Sequence, residues 1–110
     1  MTDEGRKYLS DILQSIELIN QFTADIQNFN DFVSDKKSIS AVERQLAIIG
    51  EAVHKFMKLA SDHTITNAKN IYSLRNRLVH SYDSIDTSII WAILKKHLQP
   101  LKQEVEQLMK

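Results

Sequence analysis

Glycine and proline are almost missing from this chain. Two glycines and one proline stand in 110 residues, about 3% against a usual combined share of ~12%. Hairpins, sandwiches and barrels need turn residues at regular spacing, and this chain does not have them. An all-β fold is excluded on that ground, and a βαβ array also needs more length. Thirteen Ile and eleven Leu supply ample material for one core, so disorder is excluded as well. The length suits one independent domain and not two. The expected fold is all-α: an antiparallel four-helix bundle with a short C-terminal helical extension, covering residues 1–110.

Charge removes further classes. Fourteen Lys and Arg balance fourteen Asp and Glu. No global field draws the chain to nucleic acid or to a membrane, so any polyanion site must be local. A net charge near zero favours self-association. With no cysteine, disulfides, zinc–thiolate sites and thiol nucleophiles are excluded. The longest apolar run, Ile89 to Leu94, is far short of a membrane span. The start Met1-Thr2-Asp3-Glu4 carries no signal pattern. The expectation is a cytoplasmic protein without membrane contact.

Helical periodicity organises the chain. From Asp3 to Asn28, the residues Tyr8, Leu9, Ile12, Leu13, Ile16, Ile19, Phe22 and Ile26 cover about 200° of arc, enough for two neighbours. Asn28 to Ser38 reads as a connector with Phe32 and Val33 on the core and room for one helical turn. Ser40 and Glu43 fit a capping box for a second helix ending near Ser61 to His63. A third helix runs from about Thr66 to the early eighties, with a seam of Ile71, Leu74 and Leu78. Asp86 suits the N-cap of a fourth. Pro100 breaks or restarts it ahead of Leu101, Val105 and Leu108.

Most catalytic signatures are absent, among them a phosphate loop, a His-Glu-x-x-His motif, a nucleophile elbow and a calcium loop. Nothing calls for a metal or another cofactor. His54, His63 and His97 read as surface histidines. Glu51 reads as the surface partner of Lys55 four residues on, with a supporting role near a site left open. The segment Arg75-Asn76-Arg77-Leu78-Val79-His80-Ser81-Tyr82 is different. It concentrates two guanidinium groups, an amide, an imidazole and a phenol. Arginine matches phosphate oxygens in a bidentate way, and histidine exchanges a proton near neutral pH. Together they are the minimum equipment for phosphodiester cleavage without a metal.

Arg75, four residues, His80, one residue, Tyr82 resembles the signature of HepT-like ribonuclease toxins of the HEPN superfamily. The stretch Ala41 to Ala52, with its Ile-Gly-Glu-Ala core, resembles the family's second helix. Ile85-Asp86, Ile90-Trp91 and Leu98-Gln99-Pro100-Leu101 resemble its C-terminal part. Asp83-Ser84 departs from it, since many relatives carry an aromatic residue and a glycine there. The resemblance implies helical homodimers whose two motifs face one cleft, metal-independent cleavage of RNA, and a minimal nucleotidyltransferase antitoxin as partner. That partner would silence the toxin by transferring AMP onto Tyr82.

Within that frame, His80 is the expected general acid or base, and Arg75 the group that stabilises phosphoryl charge. Asn76 supplies a hydrogen bond or holds the loop, and Tyr82 binds substrate or stacks on a base. Arg77 and Lys69 read either as phosphate contacts or as solvated charges. On a straight helix Arg75 and His80 project about 140° apart. Either the helix distorts or a second chain completes the site. A different expectation is a non-catalytic accessory subunit of a minimal nucleotidyltransferase.

Overall fold

In the computed structural model, residues 1–80 and 85–110 are described. Among these residues six helices follow in order, α1 (Asp3–Phe22), α2 (Phe29–Ser34), α3 (Lys36–Leu59), α4 (Ala68–His80), α5 (Thr87–Lys96) and α6 (Leu98–Leu108). No strand occurs among the described residues, so the fold is an all-α bundle. None of these helices is long and apolar enough to cross a membrane.

The axis of the bundle is the 24-residue α3. It packs α1 on one side and α4 on another, while α6 lies against α1 and α5 against α2. Ile12, Ile16 and Ile19 of α1 meet Val42, Ile49, Val53 and Phe56 of α3 in one buried cluster, which Ile90, Leu98 and Val105 complete. Each such side chain contributes about 1.5–3 kcal/mol by leaving water.

The boundaries differ from the sequence reading where short polar side chains compete with the backbone. Helix α1 stops at Phe22 and not near Asn28. The Thr23 hydroxyl donates to the Ile19 carbonyl at 2.8 Å, and such back-bonding lets the chain leave the helix. Asn28 then caps α2, accepting from the Asp31 N–H at 2.9 Å. The connector is therefore a six-residue helix. Phe32 is fully buried as expected, 5.3 Å from the Trp91 ring, but Val33 points outward and is exposed.

The capping box at Ser40 does not form. Helix α3 begins at Lys36, with Asp35 accepting from the Ser38 N–H at 3.0 Å and from its hydroxyl at 2.7 Å. Asp35 caps as well as Ser40 would, and Lys36-Lys37-Ser38 shows no apolar period to reveal the extra turn. Asp86 caps α5 as its sequence suggests, accepting from the Ser88 N–H at 2.9 Å.

The fourth rod is α5 and α6 in succession, and its break falls at His97. Pro100 is the third residue of α6. There its missing N–H is one that no helical carbonyl could have reached. Before α4, Asn67 takes a φ of 62°, a left-handed conformation that asparagine tolerates. The neighbouring Thr66 N–H and hydroxyl donate to the Glu104 carboxylate at 3.1 and 2.7 Å, which ties the turn to α6.

Candidate active site

Helix α4 carries the Arg-x4-His segment and leans mainly on α3 among the described residues. None of its residues is fully buried; Ile71, Leu74 and Leu78 are half-buried. Its placement depends on Gly50. A Cβ on Gly50 would collide with the Arg75 Cβ, lie 3.0 Å from the Arg75 Cγ and 3.1 Å from the Ile71 carbonyl oxygen. Glycine in mid-helix costs about 1 kcal/mol relative to alanine. Here it lets the two backbones meet at the arginine.

Arg75 is held on three sides. Its Nη2 lies 3.1 Å from Glu51 Oε2, and the side chains are only 21% and 33% exposed. Its Nη1 donates to Asn76 Oδ1 at 3.0 Å. The same Nη1 sits 3.4 Å from His80 Nε2. Guanidinium can only donate, so this contact is a hydrogen bond when Nε2 carries no proton and Nδ1 does. In that tautomer the Nε2 lone pair faces the arginine, and it becomes available as a base when the guanidinium turns to a phosphate. Lys55 Nζ stands 3.7 Å from Glu51 Oε1, so the expected surface pair exists, but the arginine is nearer.

The 140° separation of Arg75 and His80 does not keep them apart. They meet within one protomer, and α4 remains α-helical through His80. Five residues rise only ~7.5 Å along a helix, and the long arginine side chain spans that gap. Neither a distorted helix nor a second chain is needed to join the pair. Arg77 and Lys69 are exposed on α4. Neither makes a hydrogen bond or ion pair with Glu51, Arg75 or His80 among the described residues. Tyr82, the expected substrate contact and AMP acceptor, lies outside the described residues.

Two features went unread in the sequence. Gly50 was legible in principle, as a glycine among strong helix formers. His54, read as a surface residue, is stacked on Tyr72 with ring centres 3.7 Å apart and planes 4° apart. No spacing within either helix announces a pair formed across two helices.

Beside the cluster, α3 and α4 enclose an open groove of ≈ 450 Å³ lined by Glu43, Arg44, Ala47, Ile48, Glu51, Arg75, Leu78 and Val79. Partial burial pushes the Glu43 carboxyl above its ordinary range. Ile48 and Val79 are 36% and 49% exposed. A second cleft of ≈ 550 Å³ separates α4 from α5 and α6, lined largely by apolar side chains such as Ile71, Leu74, Ile93 and Leu101.

A guanidinium that lines an open groove and touches an imidazole is equipment for phosphate chemistry. The family profile described as "Ribonuclease HepT-like" matches residues 12–108. The chain belongs to the HepT-like ribonuclease family. Its activity class is endoribonuclease. Among similar proteins, "Probable ribonuclease HepT" of Thermococcus cleftensis is 38% identical over 114 residues, covering all of both chains. A "Putative RNase" of Methanocaldococcus jannaschii is 37% identical over 92% of this chain and 93% of its own. A "Gamma-glutamylcyclotransferase and putative RNase" of the same organism is 33% identical over 99% of this chain, which spans 49% of that longer protein. No solved structure matched.

Proposed function

We propose that this HepT-like ribonuclease is the toxin of a toxin–antitoxin pair and cleaves RNA without a metal. The observation that carries the chemistry is the 3.4 Å contact of Arg75 Nη1 with His80 Nε2. One group can take a proton and the other can neutralise a phosphate, and they share one point of space. His80 removes the 2′-hydroxyl proton, and O2′ attacks the adjacent phosphorus. The bond from phosphorus to the 5′-oxygen breaks, leaving a 2′,3′-cyclic phosphate and a 5′-hydroxyl. Arg75 stabilises the charge on the equatorial oxygens. Glu51 and Asn76 fix the guanidinium for that task.

The leaving oxygen needs a proton from a second acid. A two-fold dimer supplies one, a second His80, because an isologous interface brings two copies of each residue together. The half-exposed Ile48 and Val79 beside Arg75 are the apolar surface such a dimer would cover. The antitoxin is a minimal nucleotidyltransferase. It directs the Tyr82 hydroxyl onto the α-phosphorus of ATP, releasing pyrophosphate and leaving AMP on the tyrosine. A nucleotide two residues from His80 adds bulk and negative charge where the RNA phosphate must sit.

Cleavage of structured and single-stranded RNA by the purified chain in EDTA tests the reading. His80→Ala should lower the rate by roughly 10²–10⁴, and the products should end in cyclic phosphate and 5′-hydroxyl. Equal cleavage by both proteins would remove the assignment. Incubation with a minimal nucleotidyltransferase and ATP should add one adenylyl group to wild type and none to Tyr82→Phe, as read by mass spectrometry.

A further inference from the structure

Side chains follow one another in a fixed order along the seam between α3 and α4. The two helices are antiparallel, since Glu51 meets Arg75 and His54, further on, meets Tyr72. Ile48 and Val79 border the groove at one end. Glu51 and Arg75 come next, then His54 stacked on Tyr72. Lys58 and Lys69 lie one turn beyond, ~6 Å along α3 and ~4.5 Å along α4, and both are exposed. The stacked pair thus lies on the far side of Arg75 from the apolar patch.

His54 and Tyr72 are not core residues. Both are half-buried, while Val53 and Phe56 beside them are fully buried and fill the core. Their rings are parallel to within 4° at 3.7 Å, and the Arg75 guanidinium carbon is 5.9 Å from the Tyr72 ring centre. Each ring covers one face of the other, both side chains stay partly exposed, and the pair adjoins the group that binds the reacting phosphate. Aromatic faces accept any unstacked base, and flanking cations track the backbone of a single strand. A duplex keeps its base faces covered and offers nothing to such a surface.

We propose that His54 and Tyr72 form a stacking platform for one nucleobase of single-stranded RNA, next to the phosphate held by Arg75. Lys58 and Lys69 receive the backbone phosphates beyond that base. This subsite deepens the ribonuclease reading and rests on it.

The test uses the full chain and short 2′-O-methyl RNAs, which lack the attacking hydroxyl, in a fluorescence-anisotropy binding assay. An abasic unit is walked along the strand. One position should weaken wild-type binding by roughly 10-fold. Tyr72→Ala should weaken binding of the intact strand by a similar factor and lose the sensitivity to that abasic position, while Tyr72→Phe keeps both. Tyr72→Trp, with a larger ring and no cavity, should bind at least as tightly as wild type and show a larger abasic penalty. On unmodified RNA, the cut should fall beside the sensitive base. Wild-type affinity and wild-type abasic sensitivity in Tyr72→Ala would overturn the platform, as would a smaller abasic penalty in Tyr72→Trp. Failure of the ribonuclease reading shows separately, as a wild-type chain that leaves unmodified RNA uncut while the binding assay still decides the platform.

Discussion

Replacing Gly50 by alanine should disable the enzyme while leaving most of the fold intact. The new methyl group would collide with the Arg75 Cβ and press on the Arg75 Cγ and the Ile71 carbonyl. Relief requires α4 to retreat by roughly 1–1.5 Å, the distance that restores ordinary contact between the two carbons. Overpacking of this kind costs about 1–3 kcal/mol, and the better helix propensity of alanine returns about 1 kcal/mol. The net loss of about 0–2 kcal/mol lowers the melting temperature by at most ~8 °C. Helix α4 yields before the core does, because it has no fully buried side chain. A displacement near 1 Å at a catalytic group can cost ~10²-fold in rate. The assay is RNA cleavage beside circular dichroism melting, with Gly5→Ala as the companion variant. A Cβ at Gly5 meets the flexible Met1 side chain at 3.2 Å and the Thr2 hydroxyl, which caps α1, at an ordinary contact distance of 3.4 Å. Gly5→Ala should cleave like wild type. Full activity in Gly50→Ala, or equal damage from both substitutions, would refute this account of how Arg75 is placed.

Other outcomes follow from the same geometry. Glu51→Gln removes the charge opposite Arg75 and should lower cleavage by roughly 10-fold with little change in melting, because partly exposed ion pairs contribute only ~0–1 kcal/mol. Phe32→Ala should cost about 3–5 kcal/mol and shift the emission of Trp91, whose ring it touches. Acid should weaken the caps: the hydrogen bonds from Ser38 hold the Asp35 carboxyl below its usual range, and those from Ser88 do the same for Asp86. A depressed carboxylate contributes stability above its unfolded pKa, and that contribution disappears as pH falls through the folded value. Melting curves taken from pH 5 downward should therefore show a smaller acid dependence in Asp35→Asn, which keeps a capping oxygen and has no proton to gain.

The helical class was legible because scarcity of glycine and proline is a global property that no tertiary contact can reverse. The core positions of α1 and α3 were legible because burial imposes its period on the sequence. The ends were not. Thr23 and Asp35 act through single hydrogen bonds, and the alternatives at Asn28 and Ser40 have the same local chemistry. At the site, residue types and spacing singled out Arg75 and His80, which the fold brings into contact. A wheel projection then misjudged whether they could touch, since it records angle and ignores the length of an arginine. Gly50 and the His54–Tyr72 pair depend on which helices become neighbours, and no single helix encodes that.

The one-sided support of α4 has a consequence for how such an enzyme can change. Outward positions of this helix such as Lys69, Ser73 and Arg77 are exposed to solvent, and the cleft of ≈ 550 Å³ behind it leaves volume to spare. Substitutions there carry almost no cost in folding, whereas the same changes on α1 or α3 would be removed with the misfolded chain. The sequence of α4 can therefore drift while the core stays fixed, held in step by Gly50 and Glu51, which keep Arg75 against α3.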